Sequence, residues 1–307
     1  MRDRRASKNS ICPSVTTAGL ATSAASCAWP AFAAVVLAWS AAFAASFWIL
    51  LRVVVGRGPA ALAAFGLAVF CPLWSVSASW YASSVQTLPT LTFVTLAAAA
   101  FACLLRTGRA RWGVATLVSF ALALLWFEKA LVGLALVALA GAAILLTGRA
   151  VPLRSKQVVA TSLGLIAIAG AYVVAFVRLI GVPAAPEPGG DVARLVYEML
   201  LSVVPTGLVG GPWQQNTDGS TLQVLVTQPW LAWIWFVVGA VLVVGLRRHR
   251  AATVIGVLAV LLVVAVDIWL VARARIDFLG PVIGRDTRYT VDVVPVAALA
   301  VAVAMAG

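Results

Sequence analysis

Long apolar runs alternate with short polar segments along the chain after residue 29. A helix that crosses the hydrocarbon layer of a membrane needs roughly 20 apolar residues, so each run is a candidate transmembrane helix. The shorter runs are expected to be thin, tilted or partly re-entrant. The nine runs are 30–54, 59–74, 88–105, 112–127, 130–146, 157–180, 229–246, 251–272 and 291–306. The pattern predicts an all-α, polytopic transmembrane helical bundle of about 9 helices (8–11), with short membrane-lying outer helices.

The same pattern divides the chain into two parts. Residues 1–29 form an N-terminal segment whose structure the pattern does not define, and residues 30–307 form a single transmembrane helical domain. A long outer loop, 181–228, interrupts this domain. It begins with the proline- and glycine-rich "GVPAAPEPGGDVARL" and continues with "LVYEMLLSVVPTGLVGGPW", which predicts a membrane-lying amphipathic helix followed by a turn.

Composition supports a membrane protein. Hydrophobic residues make up 63% of the chain and charged residues 10%, whereas about a quarter of the residues in soluble domains are charged; the mean hydropathy is +1.04. The net charge of +12 does not predict a nucleic-acid partner, because the basic residues occur in short clusters between apolar runs. We therefore predict a multi-pass protein of the cell membrane with membrane lipids as partners.

The cysteines indicate no covalent or metal framework. The four residues show no CxxC spacing and no histidine cluster nearby, so neither a disulfide framework nor a metal site is predicted. We expect them to be small buried apolar residues. They are Cys12, Cys27, Cys71 and Cys103.

Basic clusters predict the orientation, because lysine and arginine in short loops stay on the cytoplasmic side. The clusters fall in alternate loops, which places them on one face if nine helices alternate. They are Arg52 and Arg57; Arg106, Arg109 and Arg111; Arg149, Arg154 and Lys156; and Arg247, Arg248 and Arg250. The opposite, outer face then receives 75–87, the Glu128-Lys129 hairpin, 181–228 and 273–290.

The two chain ends fit this orientation poorly. The first ten residues, "MRDRRASKNS", are basic and favour the cytoplasm, whereas nine spans place the N-terminus outside. The chain also stops at "AVAVAMAG", directly at a membrane edge. We expect that sequence is missing at one or both ends.

Glu128 and Lys129 stand together in the apolar stretch "LLWFEKALVG". In one interpretation Lys129 reaches to lipid phosphates and Glu128 is solvated in the turn between two helices. In a second, Glu128 is an acid or base in an outward cavity and Lys129 anchors a phosphate. A third is a structural ion pair. The sequence leaves these interpretations open.

An uncharged outer segment carries aromatic and hydroxyl side chains. Ser77, Trp80, Tyr81 and Ser84 recur at a spacing of three to four residues, and Gln86 follows. If the segment is a short helix lying on the membrane, one of its faces carries both kinds of side chain. Such a face fits either an aromatic belt at the membrane interface or a surface that stacks on a sugar ring or an isoprenoid.

The last outer segment contains arginines against the positive-inside bias, which indicates a local role. Arg285, Arg288 and Asp292 stand one turn apart if the last helix starts early, and would then share a face. Asp267 lies inside the preceding run, where it could pair with Arg273 or face the same cavity. The segment is either a salt-bridge cap or a phosphate-binding site.

Three stretches together resemble polytopic actinobacterial membrane proteins related to C-type glycosyltransferases, and the similarity covers roughly residues 45–307. They are "CPLWSVSASWYASSVQTLPTLTF", "LLWFEKALVGLALVALA" and "RDTRYTVDVVPVAALAVA". The resemblance implies a polyprenyl-phosphate sugar donor, with Arg288 and Tyr289 near the lipid phosphate. It also implies a catalytic acid in the first outer loop. That acid has no counterpart here, because Asp3 is the only acid in residues 1–29.

These observations give one candidate set of site residues. Glu128 is the candidate catalytic residue, and the sequence identifies no metal ligands and no cofactor. The candidate residues for binding the substrate or the lipid phosphate are Lys129, Arg285, Arg288, Tyr289, Trp80, Tyr81 and Gln86.

Two other classes of function remain open. A transporter or flippase-like carrier would show internal repeats and broken helices near the midplane, whereas the charges here cluster at the outer ends of the runs. A non-enzymatic membrane subunit is the third class. The chain contains no GxxxxGK[ST] nucleotide loop and no serine or cysteine nucleophile motif, which argues against nucleotide-driven chemistry.

Overall fold

The structure, a computed structural model, describes residues 15–74, 77, 80–146, 155–179, 190–211, 214–217, 222–225 and 228–306. Within these residues nearly all of the chain is helical, and each of the nine predicted apolar runs coincides with a helix. The helices are α1 (Val15–Val54), α2 (Pro59–Phe70), α3 (Tyr81–Thr107), α4 (Ala110–Trp126), α5 (Leu134–Leu146), α6 (Lys156–Leu179), α7 (Gly190–Val196), α8 (Val204–Val209), α9 (Gln228–Arg248), α10 (Arg250–Ala274), α11 (Ile276–Leu279) and α12 (Val293–Met305).

The connecting elements are short. Three 3₁₀ turns cover Glu128–Gly133, Pro281–Arg285 and Thr287–Tyr289. A π-helical segment, Tyr197–Val203, joins α7 to α8, and we call these three elements together the composite helix. A two-stranded antiparallel hairpin, β1 (Gln214–Thr217) and β2 (Leu222–Leu225), follows it, with Gln214 opposite Leu225. The prediction of an all-α bundle is confirmed, with this hairpin as a small addition.

The apolar helices make the protein an integral, multi-pass membrane protein. Seven helical segments of the described residues are long and apolar enough to cross a membrane, and α2, α4 and α12 are apolar but shorter. Large apolar side chains cover the outward surface of α9, where Trp233 is 67% exposed and Phe236 70%. A continuous apolar surface of this kind suits lipid rather than water.

Glycine residues, which have no side chain, let the helices approach closely. A Cβ atom at Gly256 of α10 would lie 2.7 Å from the Ala300 side chain of α12, and one at Gly133 would lie 2.5 Å from Val94 of α3. Small residues at helix contacts are typical of membrane bundles, because packing rather than water exclusion holds the helices together.

The N-terminal segment predicted for 1–29 is partly helical. Residues 15–29 belong to α1, which continues through Pro30 to Val54, so the apolar pattern starts later than the helix. Residues 1–14 of the segment lie outside the described residues.

The two ends of the bundle differ in composition. One end, which we call the charged end, brings together the described residues of 71–74 and 80–81 with 127–133, 190–209 and 276–292. The other, the arginine end, contains the turn between α3 and α4 and the turn between α9 and α10. The segments predicted to share a face therefore meet at the same end. Which end faces the cytoplasm stays a prediction.

The composite helix lies along the charged end. Near its start, Leu195 and Met199 pack against Gly284. Near its end, the Cys71 thiol donates a hydrogen bond of 3.3 Å to the Gly207 carbonyl oxygen. The composite helix thus contacts segments of the charged end at both of these points, and it is also long and apolar enough to cross a membrane. A helix was predicted within 181–228, and its position on the membrane surface stays a prediction.

Candidate functional site

A buried lysine connects three segments at the charged end. The Lys129 Nζ atom lies 2.8 Å from Asp267 Oδ1 and 2.8 Å from Asp292 Oδ2, and it donates a hydrogen bond of 3.1 Å to the Tyr289 carbonyl oxygen. A lysine ammonium has three N–H groups, so these three oxygens match its donors in number. We call Lys129, Asp267 and Asp292 the lysine triad. It fixes the start of α5, the middle of α10 and the start of α12 relative to one another.

Local geometry separates Lys129 from its neighbour. Both residues lie in the 3₁₀ turn Glu128–Gly133, where successive side chains point about 120° apart because the turn has three residues per turn. Lys129 is 8% exposed, whereas Glu128 is exposed and has no ion-pair partner among the described residues. The two residues therefore do not form an ion pair with each other.

The two aspartates of the triad differ in their surroundings. Asp267 is fully buried in α10, and neither of its oxygens receives a well-aligned hydrogen bond from the described residues, although Lys129 lies at ion-pair distance. Asp292 accepts a hydrogen bond of 2.8 Å from Lys129 and directly precedes α12, where the helix dipole favours a negative charge. Asp292 is the better-stabilised anion of the two.

Arg285 binds the composite helix through a bidentate ion pair. Its Nε and Nη2 atoms donate hydrogen bonds of 2.8 Å and 2.7 Å to the two carboxylate oxygens of Glu198. Glu198 is buried in the π-helical segment, whereas Arg285 is 27% exposed. The bond to Glu198 raises the pKa of Arg285 further, so the guanidinium stays charged. One edge of the guanidinium faces Glu198, and a second anion would approach the other edge.

Arg288 lies between an acid and two aromatic rings. It bonds to the Asp286 carboxylate, and its guanidinium carbon lies 4.1 Å from the centroid of the Trp80 ring and 5.2 Å from that of Tyr289. Asp286 also accepts a hydrogen bond from the Arg288 backbone N–H. Burial raises the pKa of Asp286 above its ordinary 3.8, although Arg288 acts in the opposite direction. The rings hold the guanidinium in place.

The aromatic segment differs from the predicted short surface helix. Trp80 and Tyr81 begin the long helix α3 and are about half exposed, and Gln86 is exposed on the same helix. Ser77 and Ser84 are buried instead, and the Ser84 hydroxyl donates to the Ser77 carbonyl oxygen. The expectation that the serines and the aromatics share one face was wrong, because the Ser84 hydroxyl bonds to backbone carbonyl oxygens at the start of α3 and the Ser77 hydroxyl accepts a hydrogen bond from Ser83.

The expectation of one shared face for Arg285, Arg288 and Asp292 was also wrong. The last helix begins at Val293, and the preceding residues form 3₁₀ turns instead of an early helical turn. The three side chains therefore contact different elements: Arg285 the composite helix, Arg288 the start of α3, and Asp292 the lysine triad. Asp267 contacts Lys129, whereas the guanidinium of Arg273 lies over the Trp269 ring.

An apolar groove of about 460 Å³ lies beside the charged end. Its walls come from α2, the composite helix, α9, α10 and α12, and Thr253 is the one hydroxyl residue among its lining side chains. Leu200 and Val204 line it within two turns of Glu198. The Trp235 indole, also in its wall, donates a hydrogen bond of 3.2 Å to the Leu201 carbonyl oxygen. The groove extends from Leu200 of the composite helix to Ala304 of α12, and neither Arg285 nor Glu198 is among the residues that line it.

The pair of Arg288 with Asp286 fits the salt-bridge cap predicted for the last outer segment, whereas the sequence did not identify Glu198 as the partner of Arg285. The available signal was its position in the apolar stretch "LVYEMLLSVV", because an acid surrounded by apolar residues needs a partner. Among the described residues no group of histidine, cysteine and acidic side chains could hold a metal ion.

Comparison with models of protein families, with curated proteins and with solved structures gives no match. The relation to C-type glycosyltransferases therefore stays a prediction from the sequence.

Proposed function

We propose that the protein binds a polyprenyl-phosphate-linked sugar at the charged end and transfers the sugar at the outer face of the cell membrane. The single observation that carries the lipid-binding part is the apolar groove lined in part by the composite helix, the same helix that Arg285 binds through Glu198. The transfer step follows from the resemblance to C-type glycosyltransferases. Each part has its own test.

The groove suits the hydrocarbon part of such a lipid. Its volume of about 460 Å³ falls in the usual range of ligand pockets, and its walls are almost entirely apolar. Because the walls belong to membrane-spanning helices, a chain from the surrounding lipid can reach the groove without crossing water. We therefore assign the groove to the polyprenyl chain.

Arg285 and Arg288 suit the phosphate. Arginine binds phosphate with two parallel hydrogen bonds, and one edge of Arg285 faces away from Glu198. Arg288 is held by Trp80 and Tyr289. Trp80 is 49% exposed and Tyr81 54%, so both rings can stack on a sugar. Lys129 supports this site indirectly, because both triad carboxylates already bind its ammonium.

Glu128 is the proposed base. Its exposed carboxylate is accessible to the hydroxyl group of an acceptor, and it lies next to the lysine that bonds to Tyr289. In the transfer step Glu128 accepts the proton of the acceptor hydroxyl. The acceptor oxygen forms a bond to the anomeric carbon of the sugar, and the bond from that carbon to the phosphate breaks.

A flippase-like carrier is the second candidate. The observation that favours it is the lysine triad, because ionisable residues inside membrane helices often belong to transport pathways. A carrier would bind the same lipid but would move it between the two leaflets without breaking the bond to the sugar.

Binding of a fluorescent polyprenyl phosphate to the protein in nanodiscs tests the lipid site. We expect Arg288→Gln and the charge-neutral pair Arg285→Gln/Glu198→Gln each to weaken binding about tenfold, a loss of roughly 1.4 kcal/mol. The control Arg111→Gln, at the arginine end, should bind as the wild type does. Unphosphorylated polyprenol should bind weakly to all variants. Equal binding of the phosphate by all variants would exclude the proposed phosphate site.

A transfer assay with a labelled polyprenyl-phosphate sugar separates the enzyme from the carrier. We expect Glu128→Gln to abolish transfer while binding is retained, and Asp191→Asn, another exposed acid at this end, to leave transfer unchanged. If the wild type instead moves the labelled lipid across vesicle bilayers and leaves the bond to the sugar intact, the carrier is the correct function.

A further inference from the structure

The lysine triad has an unbalanced charge. Two carboxylates, Asp267 and Asp292, share the single ammonium of Lys129, so the triad has one negative charge too many if all three groups are ionised. Asp267 is fully buried and Lys129 is 8% exposed. A net charge at such a place is strongly unfavourable, because water is not available to solvate it.

The neighbouring groups do not supply the missing positive charge. Arg288 pairs with Asp286 in the preceding turn, and Arg285 pairs with Glu198 across the composite helix. On α10 itself, the guanidinium of Arg273 contacts the Trp269 ring near the end of the helix. Among the side chains that the structure describes on the other elements packed against α10, the remaining titratable ones are exposed, at one or other end of the bundle: Asp191, Arg194, Tyr197, Arg247 and Arg248.

Asp267 is the residue of the triad that is best suited to be neutral. Its Oδ1 and Oδ2 atoms are buried without a well-aligned hydrogen bond from the described residues, whereas Asp292 accepts one from Lys129 and lies at the start of α12. A fully buried carboxyl group that shares a single ammonium with a second carboxylate favours its protonated form. One proton on Asp267 makes the triad neutral.

We propose that Asp267 is a proton-binding site, which binds one exchangeable proton at neutral pH in the conformation described. Release of the proton leaves a carboxylate on Asp267 and transfers H⁺ to water. The site is linked to the charged end, because Lys129 bonds both to the triad and to the carbonyl oxygen of Tyr289. This inference goes beyond lipid binding and does not depend on it.

Infrared spectroscopy of the full chain in an ester-free detergent at neutral pH tests the proposal. We expect one C=O stretching band from a buried protonated carboxyl group, which shifts in D₂O and on ¹³C-labelling of aspartate. Asp267→Asn should remove the band. Asp292→Asn should also remove it, because Lys129 then pairs with Asp267 alone and the charges balance. Asp286→Asn is the control and should keep the band.

Two results would overturn the proposal. One is a wild-type spectrum without the band. This includes the case in which the protein needs sodium ions for stability, because a bound sodium ion would then balance the charge of the triad in place of the proton. The other is a band that persists in both Asp267→Asn and Asp292→Asn. If Asp267→Asn does not fold, the comparison of the wild type with Asp292→Asn decides: a band in the first and none in the second supports the site, and any other combination rejects it.

Discussion

The charged end contains two kinds of ion pair that have similar distances between their charged atoms and differ in their surroundings. In the lysine triad, Lys129 is 8% exposed and the Asp267 side chain 0%. In the arginine pairs, Arg285 is 27% exposed and Arg288 14%, and aromatic rings cover part of Arg288. The triad joins the turn before α5 and the start of α12 to a fully buried residue of α10. The arginine pairs hold turns at the surface, where an external anion can reach them.

This difference separates a structural role from a binding role. Removal of a buried lysine between two carboxylates strongly lowers stability, because the carboxylates lose their counter-charge in an apolar environment. An arginine at the edge can bind a second anion and keep its first partner. We therefore expect substitutions in the triad to change stability and substitutions of the arginines to change binding.

The largest effect is expected for Lys129→Met. Removal of the ammonium leaves two aspartates buried without a cation, which should lower the free energy of unfolding by about 3–5 kcal/mol. Thermal unfolding in detergent measures the change. The matched control is the adjacent Glu128→Gln, which is exposed and should change stability by less than about 0.5 kcal/mol.

Equal destabilisation by Lys129→Met and Glu128→Gln would contradict the separation of these neighbours. The triple variant Lys129→Met/Asp267→Asn/Asp292→Asn sharpens the test, because it removes all three charges together. We expect it to be more stable than Lys129→Met alone.

A smaller loss of stability is expected for Arg285→Ala. Glu198 is buried and would lose both of its hydrogen bonds to the guanidinium, which should cost roughly 2 kcal/mol. In the Glu198→Gln background, Arg285→Ala should lower the free energy of unfolding by clearly less, since no unpaired buried charge remains. A double-mutant cycle by thermal unfolding measures this coupling, and the absence of coupling would show that the pair does not hold the composite helix.

Gly133→Ala tests the backbone that positions Lys129. A Cβ atom at Gly133 would lie 2.5 Å from Val94 Cγ1, so the substitution should displace the 3₁₀ turn and cost about 1–2 kcal/mol. Gly66→Ala in α2 is the control, because no atom lies within 4 Å of the position and alanine favours a helix. If Val94→Ala does not partly restore the stability of Gly133→Ala, the contact with Val94 is not the cause.

Most of the fold could be predicted from the apolar runs, because a helix across the membrane needs a long stretch without charges. All nine runs became helices, and the composite helix was expected as a membrane-lying segment. The bounds of α1 could not be predicted from hydropathy, because residues 15–29 are rich in serine and threonine and yet continue the helix.

The site was predictable in part. The sequence placed Lys129, Arg285, Arg288 and Trp80 in segments that meet at the charged end, because alternate loops of a bundle share a side. The partners were not predictable, since the bond from Lys129 to Asp292 joins residues 163 positions apart. Pairing at this distance depends on how the helices pack, and hydropathy carries no information about that. Helix periodicity also failed for residues 281–289, which form 3₁₀ turns.

The smallest expected effect is the pH dependence of Asp286. Burial raises the pKa of this carboxyl above 3.8, so in the window above 3.8 the folded state binds more protons than the unfolded state. The stability of the wild type relative to Asp286→Asn should therefore fall as the pH rises from below 3.8 through the raised pKa. Unfolding measured across this range checks the sign. A rising difference would mean that the attraction of Arg288 outweighs burial.

The most direct test of the account is cysteine labelling in intact cells, because the proposed site requires distant segments to share one face of the membrane. In a variant without native cysteines, single cysteines replace Tyr81, Glu128 and Leu279 at the charged end, and Arg109 and Arg248 at the arginine end; all five positions are exposed. We predict that an impermeant maleimide labels the first three directly and the last two only after permeabilisation. Labelling of Tyr81→Cys and Leu279→Cys from opposite sides would contradict the account.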